Sequence, residues 1–329
     1  MIDNPLSAWP VVGHTWAVAQ LARAIDEDRL GHAYLFTGPA QIGKATLARA
    51  MAMAINCTAE ARPCGACRPC VRIATNTHVD VRVVAPEGER LKIDQVRELQ
   101  RELSLSPVEA RKRVAILDDF ERATIEAMNA LLKTLEEPPS NVVLVVMAPE
   151  AELLLPTIVS RCQIVALRPL TIAQVRDALV GRWGVDAGRA DLLAHLSGGR
   201  IGWAVNAAKD KSILERRAAR LDHLQSLLRA SRVERFAYAE SLARSAADAR
   251  EAIDAWRTWW RDVMLAAARG GAALTNVDRR DEIERIAARL DVQQARAAAE
   301  ACRLALWQLD KNAMPRLVVE VMLLGLPEM

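Results

Sequence analysis

Four of the six cysteines in this chain fall within fourteen residues, with the spacing Cys57-x6-Cys64-x2-Cys67-x2-Cys70. Four thiolates can complete a tetrahedral zinc shell with no open position, which is the structural rather than the catalytic arrangement. Pro63, Gly65 and Pro69 help the backbone fold tightly around one ion. The same thiols could instead form a redox CxxC pair or pack as unligated core cysteines. A redox pair needs only two of them, and a polar segment with prolines is no apolar core. The reading is therefore a zinc module over 57–70, held by Cys57, Cys64, Cys67 and Cys70. Cys162 and Cys302 stand alone and read as buried small hydrophobes.

Directly ahead of the cysteines lies Gly38-Pro39-Ala40-Gln41-Ile42-Gly43-Lys44-Ala45. Gly38 and Gly43 could let backbone amides approach phosphates, with Lys44 as a point charge on them. A phosphate loop of this kind needs a Ser or Thr hydroxyl after the lysine to ligate magnesium. Ala45 offers none, and Thr46 is a poor substitute because adjacent helical residues point about 100° apart. Gln41 stands where a left-handed loop residue would favour glycine. A strand-to-helix turn that binds nothing fits these residues, and so does weak nucleotide binding without turnover. Asp118 ends an apolar run, where an aspartate would hold magnesium. Asp119 follows where an ATPase commonly places a glutamate, and its shorter side chain would reach poorly. Arg161, in Thr157-Ile158-Val159-Ser160-Arg161-Cys162, precedes another strand-like run. An arginine fixed there can act on phosphate in a neighbouring subunit, or simply be a surface or ion-paired arginine.

These residues need a scaffold, and the periodicity supplies one. Residues 15–28 read as an amphipathic helix, with Val18, Leu21, Ala22 and Ile25 on one stripe. The run 33–37 is a buried strand feeding the loop, and 44–56 has helical composition. Further buried strands are expected at 114–117 and 142–147, and 164–167 is strand-like. Glu136-Glu137-Pro138-Pro139-Ser140-Asn141 closes the helix before the 142–147 strand, because proline disfavours helix in the residue preceding it. Apolar runs alternating with helical stretches argue for an α/β domain, a parallel sheet with helices on both faces. Pro169 marks a boundary. Residues 171–208 read as a small helical unit broken at Gly198-Gly199, and 211–329 as a helical bundle. Trp256, Trp259 and Trp260 share one helical face, which reads as bundle core rather than as a partner surface.

Composition bounds the rest. With 329 residues the chain suggests two or three domains, and 51% hydrophobic with 26% charged content is that of a globular protein. No apolar run reaches the roughly 18–20 residues that span a bilayer. Met1-Ile2-Asp3-Asn4-Pro5 has neither the basic start nor the apolar core of a secretory leader. The expected location is the cytoplasm, where clustered cysteines more often bind metal than form disulfides. A net charge of +3 permits nucleic-acid contact without demanding it.

Together the segments resemble bacterial clamp-loader proteins of the AAA+ class, and among them the δ′ branch found in DNA polymerase III. The carrying residues are His32-Ala33-Tyr34-Leu35-Phe36, the four cysteines, Asn129-Ala130-Leu131-Leu132-Lys133-Thr134-Leu135-Glu136-Glu137-Pro138-Pro139 and Leu155-Pro156-Thr157-Ile158-Val159-Ser160-Arg161-Cys162. The resemblance covers about residues 10–210. It implies an AAA+ P-loop domain over 1–168 carrying the zinc module, a small lid-type helical domain over 169–208, and a helical collar over 209–329. It also implies that Arg161 projects toward nucleotide bound by an adjacent motor subunit. The implied partners are the γ/τ motors, the δ subunit that opens the sliding clamp and, through the complex, the clamp and primed DNA.

Departures from the family pattern point to a subunit without independent ATPase activity. Ala45 and Asp119 replace the expected hydroxyl and glutamate, and the sensor threonines fall near Ala148-Pro149. The sensor arginine corresponds to Gly202, with Arg200 two residues earlier and expected to point elsewhere on the same helix. Gly38, Gly43, Lys44, Thr46, Asp118 and Asp119 would then form a degenerate site in which ATP and magnesium bind weakly or not at all. Two alternatives stand beside this reading. One is an ATP-hydrolysing γ/τ-type motor, and the other is a zinc-centred nucleic-acid-binding module with a vestigial loop. Against the second, aromatics total only 4% and no basic stripe interleaves with them.

Overall fold

The structure, a computed structural model, describes residues 8–311 and 313–328. The first five residues, whose make-up argued against a leader, lie outside the described residues. The chain falls into two compact units, one of Met1–Gln174 with Arg200–Gly202, the other of Val175–Gly199 with Trp203–Met329. The 169–208 segment expected as a unit of its own divides between the two.

The first unit alternates helix and strand. Its elements are α1 (Thr15–Asp26), β1 (Ala33–Thr37), α2 (Lys44–Asn56), α3 (Arg68–Ala74), β2 (Val81–Val84), α4 (Ile93–Leu103), β3 (Arg113–Leu117), α5 (Ile125–Glu136), β4 (Val142–Ala148), α6 (Pro156–Val159) and β5 (Gln163–Ala166). The strands form one sheet in the order β2-β3-β4-β1-β5, with every pairing parallel. Alternate strand residues point to opposite faces, and here each face has its own core. Tyr34, Phe36, Val114, Ile116, Val143, Val145 and Met147 pack with α1, α2 and α3. Leu35, Ala115, Leu117, Leu144 and Val146 pack with α4, α5 and α6. Burial on both faces explains why β1, β3 and β4 read as unbroken apolar runs. The edge strand β2 is only partly covered, with Arg82 exposed. It has no such run, and neither it nor α3 and α4 was legible in the residue pattern.

Local signals set the element ends that position the site. Thr124 caps α5 by accepting a hydrogen bond from the Ala127 N–H. Glu136 is the last residue of that helix, immediately ahead of Glu137-Pro138-Pro139. Pro156 opens α6 at a position where its missing N–H costs nothing.

The second unit is all helical. Helix α7 (Ile172–Trp183) enters it, followed by α8 (Ala187–Leu196), α9 (Ile201–Lys209), α10 (Ser212–Leu228), α11 (Arg232–Leu242), α12 (Ala246–Ala267), α13 (Arg280–Ala287), α14 (Val292–Asp310) and α15 (Pro315–Leu324). Trp256, Trp259 and Trp260 of α12 are all 0% exposed, which rules them out as a surface for a partner. Trp256 donates its indole N–H to the Arg220 carbonyl at 2.8 Å, and Trp259 meets Trp260 edge to face. No helix among the described residues is long and apolar enough to cross a membrane.

Candidate nucleotide-type site and metal centre

Between β1 and α2 the phosphate-type loop is closed by its own chain. Gly38 has φ 139°, and a Cβ there would meet the Leu167 carbonyl oxygen at 2.6 Å, so only glycine fits. Its N–H donates to the Pro149 carbonyl at 2.9 Å. Gln41 takes the left-handed conformation, φ 63°, that its position in the sequence implied. Lys44, only 8% exposed, donates from Nζ to the carbonyls of Gly38 at 2.7 Å and Pro39 at 3.2 Å. Burial lowers its pKa, against the pull of Glu121, Asp119 and Asp118. Ala45 is half-buried and Thr46 is exposed to solvent.

The position expected to carry a sensor arginine belongs to the same unit. The Gly202 N–H donates to the Gln41 carbonyl at 2.9 Å. A Cβ at 202 would lie 2.8 Å from that oxygen, so the start of α9 rests on the loop backbone and leaves no space for a side chain. Arg200 precedes the first residue of α9, so it is not on the helix as expected. At the end of β4, Ala148 is fully buried and Pro149 gives its carbonyl to Gly38. Neither has a hydroxyl to present.

Asp118 and Asp119 follow β3 as expected. Burial, with the charge of Asp119 second, raises the Asp118 pKa. Asp119 is exposed and left-handed, φ 45°, and begins a short turn of 3-10 helix over Phe120–Arg122. The two carboxylates thus sit in different environments one residue apart.

The four cysteines converge. Their Sγ atoms all lie within 4.8 Å of one another, and Cys57 Sγ is 3.8 Å from Cys67 Sγ. Tetrahedral bonds of about 2.3 Å to zinc put neighbouring sulfurs about 3.8 Å apart, so the cluster could hold a metal ion. Backbone N–H groups of Cys64 and Cys67 point at the sulfurs of Cys57 and Cys64, at 3.4 and 3.2 Å. Burial pushes the Cys67 thiol up, but hydrogen bonds from Thr58 and Cys70 outweigh it and leave the pKa at about 6. Burial raises those of Cys57 and Cys70. Of the two lone cysteines, Cys302 is fully buried as expected. Cys162 is only half-buried, against the α4–α5 face of the sheet.

A polar frame that the sequence did not reveal links the cysteine-bearing segment and the chain ahead of β2 to the stretch ahead of β3. Asn56, next to Cys57, accepts from the N–H groups of Arg111 and Lys112 and donates to the Lys112 carbonyl. Asp80, buried ahead of β2, accepts from the N–H groups of Val108, Glu109 and Ala110 and pairs with Arg113 at 3.3 Å. Glu109 in turn pairs with Arg72 of α3, and at 3.9 Å faces His78 Nε2. Only the placing of Asn56 beside a cysteine was a sequence signal. Asp80 and Glu109 gave none.

Arg161 lies at the turn between α6 and β5. Its Nη1 donates to the Thr157 carbonyl at 2.9 Å and to Ser160 Oγ at 3.4 Å. Its Nη2 donates to Glu136 Oε1 at 2.8 Å. The side chain is 35% exposed, restrained but not enclosed.

Residues 13–171 match the family described as DNA polymerase III, delta subunit. That segment is just under half of the chain. A relative from Bacillus subtilis, DNA polymerase III subunit delta', is 36% identical over 199 residues, 60% of this chain and 60% of its own length. DNA polymerase III subunit gamma/tau of Mycobacterium bovis is 40% identical over 161 residues, 48% of this chain and 28% of its own. The chain thus spans less than two thirds of either relative. A Thermotoga maritima DNA polymerase III gamma subunit-related protein aligns over 93% of this chain and 97% of its own, at 20% identity and a TM-score of 0.41.

Proposed function

We propose that the chain is a non-hydrolysing, δ′-type subunit of a DNA polymerase III clamp loader, working in the cytoplasm. The observation that carries this reading is the contact of Gly202 with Gln41. Where a motor subunit would need a long cationic side chain over the phosphates, this chain has an amide bonded to the loop and no room for a Cβ. Ala45 and the exposed Thr46 add the loss of a metal ligand, and Ala148-Pro149 the loss of a hydroxyl. Removing a single charge-stabilising group costs about a hundredfold or more in rate, so these losses together leave no effective ATPase.

In this reading Arg161 acts in trans. Its guanidinium stabilises charge on the γ-phosphate of ATP held by a neighbouring γ/τ subunit, which couples nucleotide occupancy there to the packing of the ring. That ring, with the δ subunit, holds the sliding clamp open on primed DNA. Cys57, Cys64, Cys67 and Cys70 hold a structural zinc ion, because four thiolates leave no coordination position for substrate. Residues 1–168, 169–208 and 209–329 serve as AAA+ domain, lid and collar.

A γ/τ-type motor is the second reading, favoured by the retained Lys44 and by 40% identity to a gamma/tau chain. Titration of the isolated chain with mantADP, with and without magnesium, separates the two. The proposal expects no magnesium-dependent tight binding and no turnover. Tight binding together with hydrolysis would establish the motor.

A further inference from the structure

Arg161 and Glu136 are 25 residues apart in sequence, and the fold brings them together where α5 ends and β5 begins. The Nη2–Oε1 distance is 2.8 Å, with the side chains 35% and 51% exposed. An ion pair as open as this contributes little to stability, so holding the fold together is a poor account of it. Its geometric effect is larger. Arginine carries several rotatable bonds, and a free one spreads its guanidinium over many rotamers. Here the Thr157 carbonyl and Ser160 hydroxyl fix Nη1, and Glu136 fixes Nη2. Among the described residues the Nε–H and one Nη2–H have no acceptor, leaving two donors for phosphate oxygens.

We infer that Glu136 is the positioning residue of Arg161: its carboxylate, set at the last turn of α5, orients the guanidinium toward nucleotide held by the adjacent subunit. The inference rests on the trans role of Arg161 proposed above. Glu136 does not touch the nucleotide and acts only through the arginine. Losing it lets the guanidinium wander while the charge remains. Misplacement of a catalytic group by about 1 Å can cost a hundredfold, and a side chain still held by two other contacts should lose less.

The test uses the complex reconstituted with γ/τ and δ subunits, and single-turnover ATP hydrolysis so that individual sites are resolved. Arg161→Ala identifies the phase that depends on this subunit. Glu136→Ala should slow that same phase about tenfold, with half-saturating ATP and the melting temperature of the chain unchanged. Glu136→Gln, which keeps an oxygen acceptor, should recover part of the rate. Glu136→Ala should add nothing in an Arg161→Ala background, because residues acting through one another are not additive. If Arg161→Ala slows the phase but Glu136→Ala leaves it unchanged or faster, or if the two effects add, the positioning role is overturned while the trans role stands. If Arg161→Ala itself changes nothing, the trans role falls and takes this inference with it.

Discussion

A Gly202→Ala substitution would set a methyl carbon 2.8 Å from the Gln41 carbonyl oxygen, where the nearest neighbour is backbone and cannot swing away. We expect a loss of about 1–3 kcal/mol, read as a lowered midpoint in urea denaturation. A midpoint equal to that of the unmodified chain would show that residue 202 does not rest on the loop. Lys44→Met tests the other closure, since it leaves the Gly38 carbonyl without its Lys44 donor and the Pro39 carbonyl with only the Ile42 N–H. A buried acceptor left alone costs about 1–3 kcal/mol, so the lysine should prove structural in the same assay. The defects of this loop were legible in the sequence wherever they depend on residue type, as at Ala45 and Gln41. The contact at Gly202 was not, because 161 positions separate it from Gln41 and only the fold sets the two backbones side by side. The partner of Arg161 was hidden for the same reason.

Among the elements, the stretch over 104–112 ahead of β3 depends on the cysteine-bearing region for its shape. Asn56 holds Arg111 and Lys112, Asp80 holds Val108 to Ala110, and Arg72 of α3 pairs with Glu109. Cys64→Ser should remove zinc and lower stability, since the binding energy of a structural metal is folding energy. Zinc content by mass spectrometry and amide exchange over 104–112 report the two effects together. Retained zinc with unchanged exchange would refute the link. Asp80 gives a pH signature. Burial raises its pKa, but the Glu109, Val108 and Ala110 amides and the nearby Arg113 lower it further, to below the ordinary 3.8. A carboxylate held low when folded stabilises fully above its unfolded pKa, and that contribution is lost as pH falls through the folded value. Asp80→Asn should therefore destabilise at neutral pH and make little difference in strong acid, as seen in denaturation midpoints across pH. Strands buried on two sides announced themselves as apolar runs, and the helix flanking Lys44 by its composition. Strand β2 did not, because an edge strand with Arg82 exposed and Val83 half-open carries no run to read.

At the scale of the whole molecule, loop, thiols and Arg161 belong to one unit, while the long helices α10 to α15 belong to the other. The proposed collar role makes α15 the element to perturb. Leu317, Val321 and Leu324 recur at helical spacing and are 55%, 64% and 46% exposed. Leu317→Glu with Val321→Glu should leave folding intact and reduce recovery of γ/τ in a pull-down several-fold, as the loss of apolar interface residues does. Undiminished recovery would exclude this face from assembly. The family match ends at residue 171, and past it the sequence offered only helical character, since bundles are specified by apolar periodicity that many unrelated chains share. The first unit is also discontinuous, because Arg200–Gly202 is counted with residues that end at Gln174. Recombination between relatives that exchanged everything downstream of 174 would strip the loop of its amide partner, so a viable crossover must carry those three residues along or fall beyond them.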